Sequence, residues 1–475
     1  MSKHVQKQLE NDFKSSPDFV KKTIKLNNKR IVYIYFLESI AASDKVSDYI
    51  TMPLTRLMSA KLPKNIEKLV DFLPGPSTKF VENIKDACFY LTNGFTIVFT
   101  NYSNEILAIE TKAELDRSIS PPESQSGIFG PKDAFSENYQ KNVGLIKRRL
   151  KSKSLNTEEM FIGRRTATKI GIMYFSDIAD ISVVNKLKKQ LSKIDTDGII
   201  DSAYILHYLT GEVNRPLPVA FSSERPDRVS QALLEGKVAI IVDTSPFVII
   251  LPSFLIDFIN PVVDNYTKSI NINFLKILRF LCFLITIMTP AIYIALTNYN
   301  AEAIPTSLLL NFSIQRDGVP FPTVIECLIA LFTIEILKES DSRFPSSYGS
   351  AVSILGALVL GEAAISAGIV SPIMIIIAAI TFITSLIFTD QELVNGIRHY
   401  RLMYLFFGAV LGLFGIVIAT MFFLAKLTSM DTFGKPYTYP LAPYDRVYFF
   451  KSFFKGSKKK DKFRSSMLVK KDKTK

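Results

Sequence analysis

The chain is 475 residues long, 48% apolar and 21% charged, with a formal net charge of +13. Residues 1–274 carry 67 charged side chains, residues 275–427 only 17, and residues 428–475 another 17, of which 13 are Lys or Arg. The middle part has too few polar groups to face water, which excludes a wholly soluble enzyme; three cysteines exclude a secreted disulfide scaffold.

Residues 1–29 are polar, lack the apolar run and cleavage site of a signal peptide, and read as an N-terminal tail. Two passages beyond it resemble each other. Ile31-Val-Tyr-Ile-Tyr-Phe36 is strand-like and precedes Glu38 and Ile40-Ala41, while Ile170-Gly-Ile-Met-Tyr-Phe175 precedes Asp177 and Ile178-Ala179. Each passage then offers a helix that meets a glycine, near 80–90 before Gly94 and from Pro226 to Gly236. A strand pair follows each helix, 95–100 with 105–109 and 238–242 with 247–251. The expectation is two α/β subdomains of one plan, 30–117 and 164–260, each self-contained enough for residues 1–260 to fold alone. Chance likeness between common strand–helix patterns is the alternative.

Residues 118–163 open with Pro121-Pro-Glu-Ser-Gln-Ser-Gly127 and read as a linker. Within it, 140–150 has helical spacing, with Val143, Ile146 and Leu150 on one face and Lys147, Arg148 and Arg149 opposite. That charge run is either a solvated helix face or a contact for a partner or lipid headgroups.

Five apolar segments follow, 275–297, 319–337, 351–370, 372–389 and 402–427, each near the roughly 20 residues that cross a bilayer. The basic tail, 428–475, is held on the cytoplasmic side and drawn to anionic lipid. The N-terminal region is expected on the same side, so the crossings should be even in number. Five is odd. One segment must be re-entrant, lie in the interface, or pair with a sixth half-crossing such as 304–314. The Lys458–Lys462 run has no nucleic-acid-reading module beside it, so nucleic acid is not an expected partner.

Glu326, Glu335 and Glu362 fall inside these segments, where an ionised carboxylate costs several kcal/mol unless protein or water relieves it. Each either hydrogen-bonds a neighbouring helix as a neutral acid or lines an ion path or gate. Glu339 and Arg343 join the candidates, because Lys338-Glu-Ser-Asp-Ser-Arg343 sits where a pore mouth would be. Gly356, Gly361 and Gly368 would let the Glu362 segment pack closely on another helix. No catalytic set, phosphate loop or nucleophile elbow is present, and His4, His207 and His399 are too scattered for a metal site. An enzyme, a cofactor and a metal are therefore not expected. A channel or receptor subunit with a cytoplasmic sensing or assembly domain is.

The residues also resemble a known family, the GerA-type spore germinant receptor A subunits, from about residue 30 to 445. The motifs that carry the resemblance are Gly130-Pro-Lys-Asp-Ala-Phe135, Asn142, Lys147-Arg-Arg-Leu150, Ile162-Gly-Arg-Arg165, Glu224-Arg-Pro-Asp-Arg-Val229 and Leu234-Glu-Gly-Lys-Val-Ala239. In the apolar part they are Arg316-Asp-Gly-Val-Pro-Phe-Pro322, Glu335-Ile-Leu-Lys-Glu339, Arg343-Phe-Pro345 and the 353–368 stretch; Gly434-Lys-Pro-Tyr437 and Pro440-Leu-Ala-Pro443 follow. One departure is Val263-Asp-Asn-Tyr266, where the family more often shows an acidic residue and a Tyr pair.

The resemblance implies an α/β cytoplasmic region of two similar subdomains, an α-helical polytopic membrane domain of four to six segments, and a basic tail. It further implies a spore inner-membrane protein that oligomerises with itself among membrane lipids. Its partners would be a permease-like B subunit, the expected nutrient binder, and a lipoprotein C subunit. It would release monovalent cations when nutrients are sensed. The basic and acidic motif residues Arg148, Arg149, Arg164, Arg165, Glu224, Arg225, Asp227 and Arg228 are the assembly candidates. The stage V sporulation protein AF, a relative with the same motifs, is one alternative. A non-conducting scaffold that gathers receptors is the other.

Overall fold

Phe95–Thr100 and Val238–Val242 are buried along their whole length, so each must run through a sheet covered on both faces. The computed structural model describes residues 2–475 apart from 27–29, 57–69, 71, 114–121, 123, 126–128, 212–214, 344–360, 455–463, 466, 470–473 and 475. The first sheet is built from β1 (Phe19–Lys25), β2 (Ile31–Leu37), β3 (Thr78–Phe80), β4 (Phe95–Thr100) and β5 (Ile106–Glu110), in the order β1-β2-β4-β5-β3. The second is built from β6 (Leu155–Ile162), β7 (Thr168–Phe175), β8 (Phe221–Ser223), β9 (Val238–Val242) and β10 (Val248–Leu251), in the order β6-β7-β9-β10-β8. The two orders correspond strand for strand, and every pairing is antiparallel.

Two boundaries differ from the sequence expectation. The expected polar tail contains helix α1 (Ser2–Asp12) and strand β1. Val5 and Leu9 of α1, with Phe13 just past its end, pack with Tyr35, Ile97 and Phe99 on one face of the first sheet, beside α2 (Ile84–Thr92). Burying a residue such as Leu9 completely is worth about 1.5–3 kcal/mol, so this helix belongs to the first unit. The expected linker likewise supplies α3 (Tyr139–Arg149) and β6, whose eight residues pair with β7 from Leu155↔Phe175 to Ile162↔Thr168. The second unit thus begins well before residue 164. It is completed by α4 (Ile181–Leu191), α5 (Ser202–Thr210), α6 (Pro226–Leu234) and α7 (Leu255–Ile259).

The charge run on α3 is not a solvated face. Lys147 is buried and donates to Asp18 at 2.5 Å and to Ser16 at 3.0 Å, while Asp18 also accepts from Ser39. Lys151 reaches Asn93 at 2.5 Å and Lys153 reaches Asp12 at 2.8 Å, so three lysines of the second unit hold the first. Burial alone raises the Asp18 carboxyl, but Lys147's charge and the hydrogen bonds from Lys147, Ser39 and Ser16 outweigh it and hold the group below its usual 3.8. A depressed carboxylate pKa adds stability above the unfolded value and loses it as pH falls through the folded one. Amide protection factors around 12–18 and 147–153 should therefore fall below about pH 4 while β4 and β9 stay protected. Equal protection of the joint at neutral pH and in acid would contradict this.

The apolar part forms a helical layer of α8 (Ser269–Tyr299), α9 (Thr306–Arg316), α10 (Thr323–Arg343), α11 (Pro372–Ser385) and α12 (Gln391–Ser429). Among the described residues two stretches, Ile270–Tyr299 and Gln391–Ser429, are long and apolar enough to cross a membrane, the second being two helices joined at Gly412. α11 is 14 residues long, or about 21 Å, short of a roughly 30 Å hydrocarbon core. Residues 351–360, half of the expected segment 351–370, lie outside the described residues.

The expected segment 402–427 is a reversal and not a rod. At Gly412 the backbone takes φ +64° and ψ −143°, a conformation that disfavours any side chain. The arms 391–411 and 413–429 then lie side by side. Tyr400 meets Phe423 edge-on at 4.7 Å between ring centroids, and the Tyr404 hydroxyl donates to Thr420 at 3.1 Å. α8 runs beside this hairpin to its tip, where the Tyr299 hydroxyl donates to the carbonyls of Ala409 and Val410.

Both arms return to the second α/β unit. At the start of the hairpin Leu393 and Val394 join the cluster of Leu217 and Phe221, and at its end Met430 joins Tyr437 and Phe258. The described part of the expected basic tail is correspondingly structured, while Lys458–Lys462 lies outside the described residues. The 431–436 hairpin, Tyr437, Tyr439 and α13 (Arg446–Phe453) pack on the second unit, and Leu468 and Val469 are buried in the same cluster. Because that core draws on residues beyond 430, residues 1–260 do not contain all of it.

Candidate functional site

The acidic candidates of the helical layer fall into two kinds of surroundings. Glu326, one turn into α10, is fully buried. Its carboxylate accepts from the Ser371 amide at 2.7 Å and from the Ser371 hydroxyl, with Arg316 Nε 3.8 Å from the other oxygen. The helix N-terminus that begins after Ser371 places that amide, as its position before Pro372 dictates. Glu335 lies further along α10 and accepts from Arg401 at 2.8 Å, with Arg398 Nε at 3.7 Å. Both arginines come from the first arm of the hairpin. Lys338 lines the same recess, whose free space is about 10 Å³, room for about one water. Among the described residues both acids face arginines, Glu326 fully buried and the Glu335 side chain 27% exposed.

Glu362 is different. It lies in the short helical stretch 361–366 and is exposed, as are Ala363, Ser366 and Ala367. Nothing lies within 4 Å of where a Cβ on Gly361 would be, so the expected close approach at that glycine is not made within the chain. Gly356 lies outside the described residues. A Cβ on Gly368 would lie 3.4 Å from the Gly318 carbonyl, and tighter approaches occur on α12, where Gly408 meets the Ala291 carbonyl and Gly412 meets Tyr299. Glu339 is exposed at the last turns of α10, and the side chain of Arg343 lies outside the described residues.

The assembly candidates also divide. Arg164 and Arg165 sit in the β6–β7 turn, exposed, each facing an exposed aspartate, Asp195 and Asp197. Arg148 is partly exposed 3.8 Å from Asp133, and Arg149 holds both oxygens of Asp133 at 2.5 Å. Glu224, Arg225 and Asp227, by contrast, are interior groups. Arg225 is 1% exposed and donates to Asp227 at 2.9 and 3.0 Å and to the carbonyls of Gln125 and Pro131 at 3.1 and 3.3 Å. Glu224 accepts from the Ser124 hydroxyl and the Gln125 amide, both at 2.7 Å. The Tyr266 hydroxyl donates to Asp227 at 2.7 Å, and Gly130, at φ +102°, leaves room for the Tyr266 ring. All three are buried within the chain. They clamp the 124–135 strap, the second unit and the chain leading into α8 into one joint.

The residues missed from sequence are the cations that answer the acids, Arg316, Arg398 and Arg401, and the clamp's far end at Asp264, which holds Arg279 at 2.6 and 3.0 Å. A signal was available for the latter: Arg279 is a cation nearly three turns into an apolar helix, which calls for a partner. Among the described residues no group of three or more His, Cys, Asp or Glu is placed to hold a metal ion.

A family model described as Bacillus/Clostridium GerA spore germination protein matches residues 7–467. Spore germination protein KA of Bacillus subtilis (strain 168) is 36% identical over 433 residues, covering 90% of this chain and 80% of that protein. Spore germination protein GerQA of Bacillus cereus is 32% identical over 432 residues, covering 90% of this chain and 85% of that protein. Among solved structures, the N-terminal domain of the A subunit of the Bacillus megaterium spore germinant receptor GerK3 is 27% identical. It covers 53% of this chain and 95% of that one, with a TM-score of 0.41.

Proposed function

The chain belongs to the GerA spore germination family, and from that membership we propose that it is the A subunit of a nutrient-responsive germinant receptor in the spore inner membrane. It assembles with further copies of itself, a permease-like B subunit and a lipoprotein C subunit, and the assembly releases monovalent cations to start germination. The observation that carries this reading is the match over residues 7–467, which takes in both α/β units, the helical layer and the tail together. The return of both hairpin arms to the second unit fits an N-terminal region and a tail on one side of the membrane.

Conduction is assigned to the interface between copies. Glu326 and Glu335 face arginines inside one chain, whereas Glu362 is exposed beside small residues that a neighbouring copy can approach. In this reading Glu362 lines the path, and the Glu335–Arg401 pair acts as a gate contact. Spores lacking the chain should lose their response to one class of nutrient. Glu362→Gln should change ion release or its pH dependence at a near-normal protein level, because it keeps the side chain's size and removes its charge. Normal ion release in both Glu362→Gln and Glu362→Leu would remove Glu362 from the path. A scaffold reading is favoured by one observation, the closed recess of about 10 Å³ at Glu335.

A further inference from the structure

A polar cavity of about 150 Å³ lies where the second α/β unit, the first turns of α8 and helix α13 meet. A single water needs about 10–15 Å³ in such a space, so it has room for a phosphate-sized group with waters around it. Three cations line it, two from the second unit, Arg228 on α6 and Lys237 ahead of β9, and one from α8, Lys276, whose ammonium also donates to the Ser452 carbonyl at 2.9 Å.

The acids in the wall are already engaged. Asp257 accepts from Lys237 at 2.6 Å and from the Phe254 amide at 2.7 Å, and Asp264 holds Arg279. Glu235 accepts from Gln231 at 3.2 Å. Arg228 is placed differently. One nitrogen donates to the Asp257 backbone carbonyl at 2.7 Å, and the guanidinium plane lies 3.5 Å over the Phe221 ring. Among the described residues its other N–H groups have no protein acceptor. The stacking fixes the fork's orientation, and a fixed guanidinium fork suits two oxygens of one phosphate.

The surroundings say where such a phosphate would come from. Lys276 lies two turns into the apolar helix α8, and the opposite wall is Tyr448 and Ser452 of α13. The outer side of α13 exposes Phe450 and, just past its end, Phe454, apolar rings of the kind that interfacial helices bury at the headgroup–acyl boundary. We infer that this cavity is a phosphate-binding site, filled by the headgroup of an anionic phospholipid or by a soluble phosphate, that joins the second α/β unit to the first apolar helix and the C-terminal helix. Burial also pushes the Arg228 guanidinium down to about 10 despite Asp257, Asp390 and Asp227 nearby, as expected of a charge still lacking a counter-ion. The site does not depend on ion conduction; only its lipid source rests on α8 being a membrane helix.

The test uses the full-length chain purified in detergent. Native mass spectrometry counts retained phosphatidylglycerol against phosphatidylcholine, and calorimetry measures binding of inorganic phosphate. Selective retention of phosphatidylglycerol assigns the lipid source; saturable phosphate binding without it assigns a soluble one. In either case Arg228→Gln should weaken binding about tenfold, the loss of one charge-assisted hydrogen bond. Exposed Lys193→Gln should change nothing. If Arg228→Gln fails to fold, Lys276→Gln on the opposite element should show the same loss. Wild-type protein that retains neither probe, or a folded variant at Arg228 that binds as the wild type does, would overturn the site.

Discussion

Replacing Arg225 with Leu should destabilise the full-length protein by about 3–5 kcal/mol, the cost of leaving a buried charge without its partner. Asp227 is 8% exposed and would keep only the Tyr266 hydroxyl and nearby backbone, while the carbonyls of Gln125 and Pro131 would lose their donor. Burial on its own raises the Asp227 carboxyl, and the hydrogen bonds from Arg225 and Tyr266 more than reverse this. Most of the penalty therefore comes from the orphaned carboxylate. The double variant Arg225→Leu with Asp227→Leu should recover part of the loss, because it removes the charge that was stranded. The measurement is the denaturation midpoint of protein in detergent, alongside the amount of chain in the spore membrane fraction. A shift of less than about 1 kcal/mol for Arg225→Leu would mean the strap is not held by this clamp.

Glu335→Leu should have an effect of similar size for the opposite reason, an excess of cations. Arg401 is 6% exposed, and Arg398 and Lys338 adjoin it, so removing the one carboxylate they share leaves three positive charges around a gap for one water. The membrane fraction should hold far less of this variant. Glu335→Gln keeps an acceptor for Arg401 and should fall between the two. Adding Arg401→Leu to Glu335→Leu should restore protein, since it takes away the buried charge as well. A restored double variant that still fails to release ions would tie the pair to gating. Normal levels of Glu335→Leu would show that the contact contributes little to the packing of α10 on the hairpin.

The inner strands were legible because apolar runs and turn residues mark them. β2, β4, β5, β7, β9 and β10 all lie where alternation and bounding Asn, Asp, Gly or Pro residues put them. The edge strands were not. β1 reads Phe-Val-Lys-Lys-Thr-Ile-Lys and β6 carries two glutamates, and an edge needs such polar residues to avoid pairing with other chains. Composition alone therefore assigned one to a tail and the other to a linker.

Gly412 was hidden for a similar reason. A turn buried among apolar helices needs no polar residue, so Leu411-Gly412-Leu413 looks like the middle of a span. The motif residues Glu224, Arg225 and Asp227 were visible as unusual chemistry, but charge in a sequence does not reveal whether its partner is in the same chain. Here the partners are 2 to 100 residues away. The tail's +9 excess suggested lipid, yet Tyr437, Tyr439, Leu468 and Val469 give much of it a protein surface to pack on.

Ion movement tests the central claim most directly. The full-length chain, purified and reconstituted alone into potassium-loaded liposomes, should release potassium as an oligomer, and Glu362→Gln should alter that release at equal protein density. Liposomes that hold their potassium despite correctly inserted, oligomeric protein would contradict conduction by this subunit and leave it as the scaffold on which the receptor is gathered.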